Sequence, residues 1–417
     1  MTTRLFAWHA ALLFGLAACN VEPAADDECR AAVTRAPGCP AAAVVVMTDF
    51  LSSQVALTRL DGATVCGSLI STARAPSSGV AYALSGDVVV PSSRPESERV
   101  VLLDRYGTNV ITWLSAESGA VLAQLPVGTG FQSNPQDYVE IGGGRALVSR
   151  WGENPFPDSE AFDGGGDLLL IDTEAPAVIE RVVIPRHDDV PPRPSGLTRV
   201  GDRVIVTLQR ASRDVRSMAE AELVGIDVAS AAVAWTLALE GLKNCGTFTL
   251  SPSGATAVVA CTGFIDPDGV AENLEESALV LFDTATEPPS ELGRFSAAEL
   301  AGEPIQGELE FFSETRLLAK TQTVYGGASN NRLLAIDLAD GAVSELAEAR
   351  PNAEGKGQGV VFGGLLCAPG CGDVCLAADA DRGVLRRFRV RADGLEALSH
   401  VAIAGGVGLP PRDIGAF

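Results

Sequence analysis

The stretch Leu168-Leu169-Leu170-Ile171-Asp172-Thr173 decides the fold, because the chain writes it again. It returns as LVGIDV at Leu223–Val228, LVLFDT at Leu279–Thr284 and LLAIDL at Leu333–Leu338. VALTRLD, ending at Asp61, and VVLLD, ending at Asp104, extend the series toward the N-terminus. Each copy is a short run rich in Val, Leu and Ile closed by Asp, the composition of a buried strand running into a turn. The closing residues Asp61, Asp104, Asp172, Asp227, Asp283 and Asp337 are spaced by 43, 68, 55, 56 and 54 residues.

The flanks repeat as well. DYVEIGGGRALVSRW precedes one copy and GLTRVGDRVIVTLQR the next, each reading as strand, tight turn, strand. Another tight turn and strand follow the Asp. Four strands in a period of about 40–60 residues describe a propeller blade. A lone four-stranded sheet cannot bury both of its faces; stacking around a ring does. The expectation is an all-β fold, a β-propeller of seven four-stranded blades over residues 42–417, with eight blades as the alternative. The first unit starts mid-blade with AAVVVMTDF, and the C-terminal LPPRDIGAF reads as an inner strand. The ring is therefore expected to close by the C-terminal strand joining the N-terminal blade, which removes an open sheet edge. The second unit, about Gly79 to Val127, reads as one strand too long.

LLLIDTEAPAVI, from Leu168, and TNVITWLSAESGAVLAQLPVG, from Thr108, resemble the YVTN-type bacterial propeller repeats. The likeness extends over most of the chain from Ala42 and is shared with propeller lipoproteins of GC-rich bacteria. It implies the fold and leaves function to the site. Each repeated Asp is expected to cap the turn after its strand by accepting backbone N–H bonds.

The N-terminus reads as an address. Arg4 precedes an apolar run, Leu5 to Leu16, too short to span a bilayer. Leu16-Ala17-Ala18-Cys19 resembles the bacterial lipobox, which implies a signal peptide over residues 1–18 and lipidation of Cys19. Residues 19–41 form a polar tether. Asn20 in place of Asp favours the outer membrane by the same resemblance. The expected protein is held to the membrane by lipid alone and is a monomer. Its net charge of −22 repels nucleic acid.

Eight cysteines remain after Cys19, and an oxidising compartment makes disulfides the default. Cys245 and Cys261 flank the turn at Ser251–Gly254 and are expected to face each other across a hairpin. Cys29 and Cys39 are expected to pair. Cys66, Cys367, Cys371 and Cys375 then allow three connectivities. The Cys367-x3-Cys371-x3-Cys375 spacing fits no zinc pattern.

Chemistry is sparse. Of three His, only His187 and His400 follow Cys19, and there is no haem-attachment or P-loop motif. The acidic loop DPDGVAENLEE offers Asp266, Asp268, Glu272 and Glu275 as oxygen ligands for Ca²⁺, without the usual Ca²⁺-loop spacing. Loop length is the stronger clue: links between second and third strands and links between blades are long, whereas the turns inside strand pairs one–two and three–four are short. An up-and-down blade puts the long links on one face, where Arg150, Trp151, Asn154, Phe156, Arg210, Tyr325, Asn330 and Asn331 are expected to gather. The first expectation is a non-catalytic binding or scaffold module that meets an envelope protein or glycan through this face. The second is a metal-assisted, Ca²⁺-dependent hydrolase or lactonase at the top of the central channel. Three or more carboxylates or amides converging there from different blades would favour the second.

Overall fold

The computed structural model describes residues 39–72, 81–187, 189–265, 274–323, 330–405 and 408–417. Seven four-stranded antiparallel sheets make up the chain, the blades of a propeller. The strands nearest the axis are Pro411–Ala416 in blade one, Val88–Val89 in blade two, Pro135–Gly142 in blade three and Pro194–Val200 in blade four. Cys245–Leu250, Glu310–Phe311 and Phe362–Ala368 complete the ring in blades five to seven. Among the described residues no helix is long and apolar enough to cross a membrane.

The repeat works as its composition demands. Leu168, Leu169 and Ile171, in the third strand of blade three, have no exposed surface, because one face packs on each neighbouring blade. Fourth strands are the outer rim and alternate: Ala232–Ala238 runs exposed, half-buried, exposed along its length. The ring closes as expected, with Val44 opposite Gly415 and Val45 opposite Ile414 in blade one.

Two expectations are corrected. Asp104 closes the second strand of blade two, not the third, so it does not occupy the slot of Asp172. The apparent extra strand disappears because the inner strand of this blade is only two residues long. The cysteines also pair differently. Cys245–Cys261 forms across its hairpin as expected. Cys39, however, bonds Cys371, 332 residues away, instead of Cys29. Cys367 and Cys375 lie opposite each other in register and bond directly, and Cys66 is disulfide-bonded too. Spacing along the chain could not reveal the Cys39 pairing, because only ring closure brings the first blade beside the seventh.

Candidate functional site in the central channel

The inner strands enclose a cavity of about 530 Å³. A second space of about 260 Å³ adjoins it, and Ser92, Glu310, Leu365 and Ile414 border both. The ring is narrow where glycines face each other: a Cβ on Gly246 would lie 2.0 Å from the Gly307 carbonyl oxygen. On the tight-turn side, residues 90–98 of blade two lean over blades three and four. Ser97 donates to Glu140 through N–H and Oγ at 2.7 and 2.6 Å, and Arg199 holds Glu96 at 3.0 Å. Pro40 and Arg94 border the smaller space on that side. Val90, Pro91, Ser92 and Ser93 of the blade-two segment line the larger cavity and floor it on the tight-turn side.

Four carboxyls line this cavity: Asp413 from blade one, Asp137 from blade three, and Glu308 and Glu310 from blade six. Each is held by the free inner edge of a neighbouring blade. Asp137 accepts the N–H of Ser92 at 2.9 Å, of Tyr138 at 2.8 Å and of Leu197 at 2.7 Å, besides the Ser92 hydroxyl. Asp413 accepts from Val90 N–H at 2.9 Å and Ile414 N–H at 3.0 Å. Glu308 accepts from Leu365 N–H at 2.7 Å and binds the buried Lys320 ammonium at 2.6 Å. Inner-strand N–H groups have no partner strand, so carboxylates reaching across the blade seams satisfy them.

Burial outweighs those bonds. It raises Asp137 to about 6. Burial, with the charge of Glu308 added, raises Asp413 to about 6, while Val90 N–H, Arg105 and Lys320 pull the other way. Glu310 is pushed up to about 8 by burial and then by Glu308, with only the Cys367 N–H opposing. Near neutral pH Glu310 is therefore a proton donor, while Asp137 and Asp413 are mostly charged. Arg105, paired with Asp87, and the amide Gln136 share the lining. Gln306 Oε1 and Thr198 Oγ1, also on the lining residues, have no hydrogen-bond partner among the described residues. Among the described residues no group of three or more His, Cys, Asp or Glu could hold a metal ion.

The residues picked from the long loops fare differently. The loops lie where expected, joining second to third strands in blades three to six. Yet Arg150, Arg210 and Asn331 are buried, with at most 1% exposure, and belong to the framework instead of a binding face. Arg150 donates to Asp167 at 2.7 and 2.8 Å and to Val127, Thr129 and Phe162. Arg210 binds Glu222, and the other Glu222 oxygen meets His187 at 2.7 Å. Asn331 accepts the N–H groups of Val361 and Phe362 at 2.9 and 2.7 Å, joining blade six to blade seven. Trp151 is half-buried, its Nε1 donating to Gln209 on the channel wall at 2.7 Å. Asn154 caps its own loop through Phe156 N–H, and Asn330 bonds Glu348. Phe156 alone of these is strongly exposed, at 80%. Tyr325, Asp266, Asp268, Glu272, Cys19 and Cys29 lie outside the described residues.

The channel carboxyls were missed, although a signal existed. In Gly307-Glu308-Leu309-Glu310-Phe311, acid and apolar residues alternate, which places the acids on the face opposite the inter-blade core.

No protein-family model and no curated protein matches the chain. Solved structures do. The periplasmic gluconolactonase of Pseudomonas aeruginosa aligns with a TM-score of 0.55 at 15% identity, over 90% of this chain and 98% of that one. A hypothetical selenium-binding protein of Sulfolobus tokodaii aligns at 0.58 and 10% identity, over 91% and 94%. A protein of unknown function from Desulfotomaculum acetoxidans aligns at 0.51 and 12%, over 90% and 98%. The chain is a seven-bladed β-propeller, and at these identities the likeness concerns the fold alone.

Proposed function

We propose that this is a lipid-anchored envelope propeller that binds a small, polar, non-phosphorylated molecule in its floored channel. One observation supports the reading above the rest: Asp137, Glu310 and Asp413 converge from three blades on one cavity, and burial raises all three. A concave site with perturbed titratable groups is where ligands bind. Its acidity repels phosphate esters. Amides, hydroxyls and a protonated Glu310 suit polyols, sugar lactones and amines. The loop face is the weaker binding surface, because three of its expected anchors support the core instead.

The test is a thermal-shift and calorimetric panel of polyols, aldonolactones and amines, each beside a phosphorylated counterpart where one exists. Neutral or cationic members should bind in a way that Glu310→Gln weakens, and phosphorylated ones should show no Glu310-dependent binding. Glu310-dependent binding of phosphorylated members equal to that of their neutral counterparts, or no binding by any neutral or cationic member, would sink the reading. Lipidation at Cys19 is tested by mass spectrometry of the membrane-extracted protein, with Cys19→Ser found in the soluble fraction.

Hydrolysis of a lactone is the second reading, supported by Glu310 and by the fold likeness to the Pseudomonas enzyme. Water adds to the carbonyl, the ring C–O bond breaks, and the departing alkoxide needs a proton. Glu310, still protonated near pH 7, can supply it. Ring opening is followed by acid release, with added Ca²⁺ and with chelator to test the metal-assisted form. A loss of about 10²-fold or more in Glu310→Gln is expected; a rate no faster than the uncatalysed one leaves binding only.

A further inference from the structure

The loop face carries a second feature, of opposite charge. Glu153 ends the second strand of blade three, two residues after Trp151. Arg186, from the link into blade four, bonds one oxygen of Glu153. Arg213, from the long loop of blade four, approaches the other at 3.4 Å. Beneath them Arg193 is only 4% exposed, its guanidinium 3.9 Å from the centre of the Trp151 ring. Its donors go to the carbonyls of Trp151, Ser212 and Ala211 at 2.9, 3.2 and 3.3 Å. Among the described residues none of its bonds reaches a carboxylate. Buried charges are normally paired, and among the described residues Arg193 is an exception.

Arg186 and Arg213 therefore share one carboxylate, with the charge of the buried Arg193 close by, in a protein of net charge −22. Burial lowers the Arg193 pKa, and the charges of Arg213 and Arg186 lower it further, with Glu153 opposing. The excess positive charge reaches the surface, because the side chains of Arg186 and Arg213 are 39% and 65% exposed.

We propose that Arg186, Arg193 and Arg213 form a site for a tetrahedral oxyanion of the phosphate-monoester or sulfate class. The exposed guanidiniums of Arg186 and Arg213 keep donors beyond those used on Glu153, in the planar fork that suits such groups. Arg193 contributes its field from below. The net charge of −22 repels the same anion elsewhere on average, which favours a local cluster of guanidiniums as its docking point. The group can arrive as a free ion or ester, or as the phosphomonoester head group of a lipid.

The test uses inorganic phosphate and sulfate, titrated into the full protein at constant ionic strength against chloride. Binding is read by calorimetry and by the thermal midpoint. The expected result is saturable binding that weakens about tenfold or more in Arg186→Gln/Arg213→Gln, both side chains being partly exposed and outside the core. Glu153→Gln removes the competing carboxylate and should tighten binding. A second arm uses neutral vesicles with and without phosphatidic acid. Flotation only with phosphatidic acid, lost in the double variant, assigns the site to a lipid head group; phosphate binding without flotation assigns it to a free oxyanion. No preference over chloride, or unchanged affinity in the double variant, overturns the proposal.

Discussion

Two sets of carboxylates in this propeller face opposite ways in energy as well as in space. Asp172, Asp227, Asp283 and Asp337 of the repeated series close third strands at the tight turns. Asp172 accepts the N–H groups of Glu174 and Ala175, both at 2.8 Å, and these bonds hold its pKa below the ordinary range. Asp227 is lowered by Ser230 in the same way, and Asp337 by Arg316 and then Ala339 N–H. In the channel, Asp137 accepts more backbone bonds than Asp172 does, yet its pKa rises, because burial outweighs them. One side chain thus serves as a cap in water and as a protonatable group inside the ring. Repetition marks the first kind, and singularity marks the second.

Asp167 gives the strongest test of this contrast. It is a buried carboxylate tolerated because Arg150 and Arg181 hold it. Arg150→Met should cost about 3–5 kcal/mol in denaturant unfolding, since it strips a main partner from a buried charge. Replacing Arg150 and Asp167 together by apolar residues should cost less than the single change. If the double variant is the less stable, burial is not what governs these carboxylates.

Glu310 comes next. Its folded pKa lies above its unfolded one, so the folded chain binds the extra proton. Stability from this group is full below the unfolded value, near 4.3, and is lost as pH rises through about 8. Glu310→Gln should remove that loss, an effect of the order of a few kcal/mol above pH 8. The check is a comparison of unfolding free energies at pH 5 and 9 in both proteins. Parallel pH profiles would place Glu310 among the ordinary carboxylates.

Asp137→Asn keeps the size but turns an acceptor into a mixed donor and acceptor facing several N–H groups. About 1–3 kcal/mol of destabilisation is expected at pH 7, shrinking toward pH 5 as the wild-type carboxyl takes up its proton. Asp172→Ala should be the mildest of these changes, because water replaces the lost cap. Its sign with pH is the reverse. A depressed folded pKa stabilises above the unfolded value, near 3.9, and that contribution disappears as pH falls through the folded one. Wild type and variant should therefore converge in acid.

The ring was readable because every blade solves one burial problem with one strand pattern, so errors average out over the copies. The reading failed where a blade departs from the pattern. With Val88–Val89 as its whole inner strand, blade two shifts Asp104 into the second strand. Arg150 and Arg210 looked like loop residues because the partners that bury them, Asp167 and Glu222, lie across long insertions, 17 and 12 residues away. The channel carboxyls come from the inner segments of three blades, Glu308 and Glu310 from the same one, and only closure of the ring brings the three segments together. The excess charge around Arg193 was hidden for the same reason: it depends on which arginines a single Glu153 must serve.

The Cys39–Cys371 bond has a mechanical consequence. The chain enters blade one at its tight-turn end, and Cys371 sits in the turn between the first two strands of blade seven. A pull on the segment before Cys39 divides between the first strand and a covalent link into the neighbouring blade. The seam between blades seven and one, where packing and hydrogen bonds also act, is thus bridged covalently where tension enters. Such a ring distributes load across its closure point rather than peeling open from its first strand.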